Sequence, residues 1–215
     1  MPICYIISAG DCECVKIEKT QEDIIIAADS GLRYCQRDNI LPDIIIGDFD
    51  SLGFVPETES KIVLPVEKDD TDTSYAIKYA MEKGFREFVI FGATGGKRPD
   101  HTFANIALLS FIAKNGCKGF IVDGDYTITA ITDSVIRFPA EMKGDISVFS
   151  FDEKSTGVTE KGLKYSLDNA VVENCNPVGV SNSFIGQESY VEVKDGTLII
   201  YFTGKFSDLS IDKLK

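Results

Sequence analysis

Tryptophan is absent from the sequence, and histidine occurs once, at His101. Basic residues are scarce: 22 Lys and Arg stand against 34 Asp and Glu, a formal net charge of -12. Proteins that grip nucleic acid do so through lysine and arginine on the phosphates, so this balance excludes that class. It favours a cationic ligand, and it leaves open a phosphorylated small molecule held through metal ions. No apolar run approaches the roughly 20 residues that a membrane helix requires, so no membrane role is expected. The G-x-S-x-G element of α/β hydrolases is missing. The six cysteines are Cys4, Cys12, Cys14, Cys35, Cys117 and Cys175. Cys12 and Cys14 form a C-x-C, but no second cysteine or histidine pair completes a zinc site. The amino terminus, MPICYIISAG, lacks the basic region of a secretory signal and reads as a first strand. Reduced thiols in the cytoplasm are the expectation.

What is present is material for a core. The chain has 215 residues, 44% of them hydrophobic, enough for one large domain or two small ones. Apolar strands alternate with helical stretches through the first half. Cys4–Ser8, Ile24–Ala28, Ile44–Ile46, Lys61–Leu64, Phe88–Phe91 and Gly119–Asp123 read as strands. Gly31–Asp38, Thr73–Lys83 and His101–Ala113 read as helices. In TSYAIKYAMEK the apolar Ala76, Ile77, Ala80 and Met81 recur at helical spacing, and Gly84 supplies the cap. This alternation predicts an α/β domain over residues 1–125, with a mainly parallel, Rossmann-like sheet buried on both faces. From Tyr126 on, short β-rich runs are separated by turns: Thr127–Ile131, Val135–Phe138, Asp145–Phe151, Ala170–Glu173, Tyr190–Lys194 and Leu198–Phe202. Asp195-Gly196 reads as the turn of a hairpin. Residues 126–215 are therefore expected to form an all-β antiparallel sandwich without helices. At about 90 residues it has room for little core of its own, which points to packing on the first domain or on another subunit.

Open α/β sheets bind ligands outside the carboxyl ends of their strands, and aspartates accumulate there. Asp29 follows Ile24–Ala28. Asp48 and Asp50 follow Ile44–Ile46 in PDIIIGDFDS, and Asp69, Asp70 and Asp72 follow Lys61–Leu64 in DDTD. Gathered carboxylates raise one another's pKa unless a cation neutralises them, and magnesium takes carboxylate and phosphate oxygens. In an extended segment the i,i+2 spacing aims Asp48 and Asp50 to one side and Phe49 to the other. Each cluster also has a local explanation: Asp72 as a helix cap, Asp48 and Asp50 as Asx-turns. Two such clusters at strand ends of one α/β half favour a metal site.

GATGGKRPDH (Gly92–His101) follows a strand and opens a helix, the setting in which glycine-rich turns cradle phosphates. It is not a Walker A loop: the spacing is one short and Arg98 replaces the Ser/Thr. Nor is it G-x-G-x-x-G. A plain glycine-rich turn is an equal alternative. Arg98 suits bidentate phosphate contact. His101 is either a general base or a helix-terminal residue bonding the adjacent loop, with the structural role favoured. Ser181-Asn182-Ser183 either lines a polar pocket or forms an ordinary loop, and on these residues alone the loop is favoured.

In this order and spacing, ADSG (28–31), PDIIIGDFDS (42–51), KDDTDTSYAI (68–77), GATGGKRPDH (92–101), GLKYSL (162–167) and VSNSF (180–184) make the chain resemble the thiamine pyrophosphokinase family. The resemblance covers nearly the whole chain. It implies transfer of a diphosphoryl group from ATP to the hydroxyl of thiamine, giving thiamine diphosphate and AMP. It implies Mg2+ on Asp48, Asp50 and Asp72, which with Arg98 form the catalytic set. Asp29, Asp69, Thr94, Arg98, Asp100 and His101 fall on the nucleotide side. Ser181 and Asn182 hold the thiamine pyrimidine, and a homodimer places thiamine between the α/β half of one subunit and the β half of the other. Some relatives stack a tryptophan on thiamine where this chain has Tyr165, a weaker stacking group. Two rivals stand beside this expectation: a diphosphokinase for another hydroxymethyl heterocycle such as a pterin, and a non-catalytic thiamine or nucleotide sensor. Ser181 and Asn182 tilt towards thiamine. Asp48, Asp50, Asp72 and Arg98 together argue against a sensor, which need not stabilise a transition state.

Overall fold

Three isoleucines in a row, at 24–26 and again at 44–46, are stiff at χ1 and pack well on a pleated surface. In a computed structural model of the chain, which describes residues 1–207 and 209–214, both runs form strands. Two compact units arise: Met1–Leu108 with Ile121–Gly124, and Leu109–Phe120 with Asp125–Lys215.

In the first unit, β1 (Ile3–Ile7), β2 (Ile24–Ala28), β3 (Ile44–Gly47), β4 (Lys61–Val63) and β5 (Glu87–Phe91) pair in parallel in the order β4-β3-β2-β1-β5. Parallel pairing brings every carboxyl end to one edge, and that edge positions the aspartates. A 3-10 turn at Asp29–Gly31 leads into α1 (Leu32–Arg37). The helix α2 (Asp72–Glu82) packs on β1, β2 and β3 and buries Ala76, Ile77 and Ala80. Gly31 marks a close crossing, since a Cβ there would lie 1.9 Å from the Ile7 carbonyl oxygen. The helix α3 (Pro99–Lys114) and β6 (Lys118–Asp123) are divided between the two units.

The second unit is antiparallel: β7 (Tyr126–Phe138), β8 (Asp145–Ser150), β9 (Lys154–Lys161), β10 (Leu167–Glu173), β11 (Gly179–Ser183), β12 (Ser189–Thr203) and β13 (Ser210–Lys213). The expected hairpin at Asp195-Gly196 does not exist, because β12 runs through it. Val193 lies opposite Ser134 and Thr197 opposite Thr132, so three residues of β12 face Asp133 alone. Asp133 takes a left-handed φ of 47°, and its Oδ1 accepts the Gly196 N–H at 3.1 Å. That bond satisfies the bulge and spares the chain a reversal. Before the bulge β12 pairs with β9, and after it with β8. A bulged strand passes in this way from one layer to the next. The two runs Thr127–Ile131 and Val135–Phe138 are likewise one strand, β7.

The strands β9 and β11 carry too little apolar alternation to be read from sequence. The β unit also has a core of its own, against expectation. Val158, Val172, Val191, Val193, Ile200 and three phenylalanines lie buried together. The Phe138 ring stands 5.2 Å from Phe184 and 5.3 Å from Phe202. Long bent strands let both layers contribute to one cluster, which the area argument for separate short strands understates. Among the described residues no helix follows α3, as expected, and no helix is long and apolar enough to cross a membrane.

Candidate active site

Asp29 directly follows β2 in a left-handed conformation, φ 46°, and is 6% exposed. Such a backbone costs about 1–3 kcal/mol unless its surroundings impose it. Gly47 of β3 contributes to that constraint: a Cβ there would stand 3.0 Å from Asp29 Cα. The ends of β2 and β3 therefore abut, and oxygens of Asp29, Asp48 and Asp50 come within 4.8 Å of one another. The segment after β3 is not extended. Phe49 has φ 63° and buries its ring to 2% exposure, while Asp48 Oδ1 accepts the Asp50 N–H at 3.3 Å. The Asx-turn read as a local alternative is thus real, and it is also the device that turns both carboxylates towards Asp29.

Asp72 joins this group through Lys68. The Lys68 ammonium lies 2.6 Å from Asp48 Oδ2 and 3.0 Å from Asp72 Oδ1, the second contact lacking hydrogen-bond geometry. Thr71, not Asp72, caps α2, its hydroxyl accepting the Ser74 N–H at 3.1 Å. Asp72 is left free to face the site. The DDTD carboxylates separate further: Asp70 binds the Ser74 hydroxyl at 2.8 Å and Lys78 at 2.6 Å, and Asp69 is exposed. The hydrogen bond from Lys68 holds the Asp48 pKa below the usual carboxylate range. Burial pushes Asp72 up, and the ammonium, 3.0 Å away, opposes this only in part. Burial pulls Lys68 down, but its bond to Asp48 and the charge of the nearby Asp72 outweigh that and leave its pKa raised.

The donor set fits magnesium. It consists of carboxylate oxygens alone, and among the described residues Asp29 Oδ1 is buried without a hydrogen-bond partner, while Asp72 Oδ1 has the Lys68 ammonium at 3.0 Å as its counter-charge. An unpartnered buried carboxylate oxygen is costly in the absence of a cation. Sequence reading overlooked Lys68; the signal was a lone lysine opening an acidic run.

The glycine-rich loop is stitched to the end of β1. Ser8 N–H bonds Phe91 O at 2.8 Å, Gly10 N–H bonds Gly92 O at 2.7 Å, and Asp11 N–H bonds Thr94 O at 2.8 Å. Asp11 Oδ2 also accepts the Gly96 N–H at 2.7 Å. Asp11 was not singled out from sequence, although it follows the Ser-Ala-Gly turn at the same sheet edge. Asn105 of α3 donates to Ala93 O at 2.8 Å and pins the loop from the helix. Thr94 is buried, and its hydroxyl binds Asp123. Arg98 and Asp100 pair at 2.6 Å on the exposed first turn of α3, where the guanidinium brings Asp100 down to a pKa of about 2. His101 is exposed beside them.

In the β unit, Ser181 is exposed, with φ 60°. Asn182 differs, being 4% exposed. Its Oδ1 accepts the Tyr165 N–H at 2.9 Å, and its Nδ2 donates to Tyr165 O at 2.7 Å. Leu163 bridges Phe184, and Lys164 N–H bonds Ser183 O at 3.0 Å. GLKYSL and VSNSF, far apart in sequence, form one stitched turn. It presents the Tyr165 ring 60% exposed.

Comparison with known proteins agrees with both units. Residues 16–121 match the thiamin pyrophosphokinase catalytic domain, and residues 133–198 match the thiamin pyrophosphokinase vitamin B1 binding domain. A thiamine pyrophosphokinase of Bacillus subtilis is 30% identical over 182 residues, covering 81% of this chain and 85% of the relative. The crystal structure of thiamine pyrophosphokinase from Bacillus subtilis superposes with a TM-score of 0.82 at 25% identity, covering 95% of this chain and all of that one. That of thiamin pyrophosphokinase from Geobacillus thermodenitrificans gives 0.78 at 26%, covering 95% and 99%. With two domain matches in the expected order, and relatives aligned nearly end to end, the chain belongs to the thiamin pyrophosphokinase family.

Proposed function

We propose that the chain transfers a diphosphoryl group from ATP to the hydroxyl of thiamine, giving thiamine diphosphate and AMP. The observation that carries this reading is the gathering of Asp29, Asp48 and Asp50 at the carboxyl edge of the parallel sheet, with Asp72 one lysine away. In the reaction the thiamine oxygen bonds to the β-phosphorus as the bond to the bridging oxygen breaks. AMP leaves with that oxygen, and the hydroxyl proton is released. Bound Mg2+ would neutralise the phosphate charge and favour in-line geometry. Asp29, Asp48, Asp50 and Asp72 would hold it. The amino end of α3 suits the ATP phosphates, and the Gly96 N–H would turn to them on leaving the Asp11 carboxylate. Arg98 would exchange Asp100 for a phosphate oxygen, a substitution of one anion for another at an exposed site.

In this reading residues 1–125 are the Rossmann-like nucleotide and metal domain and residues 126–215 the thiamine domain. Ser181 contacts the pyrimidine, Asn182 acts through Tyr165, and the Tyr165 ring stacks on the cationic thiamine. A homodimer covers that ring; its exposure, with that of Val180 and Ile185 nearby in sequence, supports a partner surface. Six free cysteines support a reducing, cytoplasmic setting. The test is incubation with ATP, magnesium and thiamine, with products separated chromatographically. AMP and thiamine diphosphate are expected, and release of ADP, or no turnover, refutes the reading. Sedimentation of a strict monomer refutes the shared site.

A further inference from the structure

We infer that Glu160 is a positioning residue for the thiamine side of the reaction: it completes the hydrogen bonding of the buried Asn182 amide, and that amide fixes the backbone of Tyr165. The inference rests on the proposed function.

Glu160 lies on β9 between Leu167 of β10 and Val191 of β12, and it is 1% exposed. Val158, Leu163 and Val191 of the same unit are buried as well. Among the described residues no cation pairs with Glu160, and its Oε1 has no hydrogen-bond partner. A carboxylate in such a place is costly, and an apolar side chain of similar size would not be. Stability alone therefore gives no reason for it.

The one bond it makes points to a reason. Its Oε2 accepts from Asn182 Nδ2 at 3.0 Å. The second Nδ2 hydrogen goes to Tyr165 O, and Asn182 Oδ1 accepts both the Tyr165 and Ser183 N–H groups at 2.9 Å. The amide is thus fully used, with each group in the only workable place. Flipped, it would set its oxygen against Glu160 and its NH2 against two N–H donors. Glu160 offers Nδ2 an acceptor oxygen whether its carboxyl is ionised or protonated. An apolar residue offers none, which leaves one Nδ2 hydrogen buried without an acceptor and loosens the amide's hold on Tyr165. Tyr165, on an exposed turn, has no other side-chain anchor for its backbone among these bonds.

The test compares wild type with Glu160→Val and Glu160→Gln. Loss of a hydrogen bond to a carboxylate corresponds to about tenfold or more. Glu160→Val is expected to speed hydrogen exchange at the Tyr165 and Ser183 amides by about that factor, and to raise KM for thiamine similarly while leaving KM for ATP unchanged. Glu160→Gln restores both, since its side-chain oxygen still accepts from Nδ2. Unchanged exchange in Glu160→Val overturns the inference, as does equal loss in the Val and Gln variants. Faster exchange with an unchanged thiamine KM overturns its functional half. If Glu160→Val does not fold, the wild type decides. There the Tyr165 and Ser183 amides should exchange together and slowly, and fast, independent exchange overturns the inference. A wild type that turns over no thiamine refutes the proposed function, and the exchange data still decide the positioning.

Discussion

Replacing Lys68 by methionine tests the acidic site most directly. The ammonium lies 2.6 Å from Asp48 and 3.0 Å from Asp72, all three side chains being largely buried. At an effective dielectric of about 20, unit charges at these separations attract by about 6 and about 5.5 kcal/mol. Desolvating the three groups cancels most of that. A net coupling of about 1–3 kcal/mol remains reasonable, equivalent to about 5–150-fold in a binding constant. A divalent cation entering the site must displace or share with the ammonium, so Lys68→Met should tighten its binding by that factor. Methionine keeps the length and apolar stem of the side chain. Asp48 loses the bond that lowers its pKa, so the measurement belongs at about pH 8, well above ordinary carboxylate values. Free Mn2+ is followed by electron paramagnetic resonance during titration of nucleotide-free protein. An affinity equal to or weaker than that of wild type refutes the placement of the cation among these aspartates.

Asp72→Asn and Asp48→Asn should each lower turnover about 100-fold or more at saturating magnesium, the scale seen when one charge-stabilising group is lost; wild-type rates for both remove the metal role. Gly31→Ala places a Cβ 1.9 Å from the Ile7 carbonyl oxygen. It should cost about 1–3 kcal/mol as overpacking does, and a thermal melt matching wild type would refute the close crossing. Burial raises the Glu160 pKa above its ordinary value of 4.5. The folded state then holds the proton more tightly than the unfolded one. The resulting stability is present below about pH 4.5 and is lost as pH rises through the raised value. Glu160→Gln should therefore gain stability over wild type between pH 4 and pH 8 in denaturant titrations, and a flat or opposite trend refutes the burial argument.

The α/β half was legible because its signals are local. Isoleucine runs make strands whatever their neighbours, and Ala76, Ile77 and Ala80 mark the inner face of α2 by spacing alone. The β half was less legible. KSTGVTEK is polar yet forms β9, since Ser155, Thr159 and Glu160 are buried by their partner strands. Asp-Gly at 195–196 signals a turn, but Asp133 on the facing strand converts it into a bulge. Neither outcome can be read within a short window of sequence.

The order of strands and helices in the α/β half, the aspartates at the strand ends, the glycine-rich loop and the family were all set by the sequence in a form that can be read along the chain. Tertiary structure alone decided which carboxylates meet. The register of β2 against β3 brings Asp29 to Asp48 and Asp50, and a loop returns Lys68 between Asp48 and Asp72. It also decided that Asn182 serves the Tyr165 backbone, 17 positions away, and does so under Glu160. Distances between side chains remote in sequence follow from sheet register and loop closure, and no local propensity carries that information.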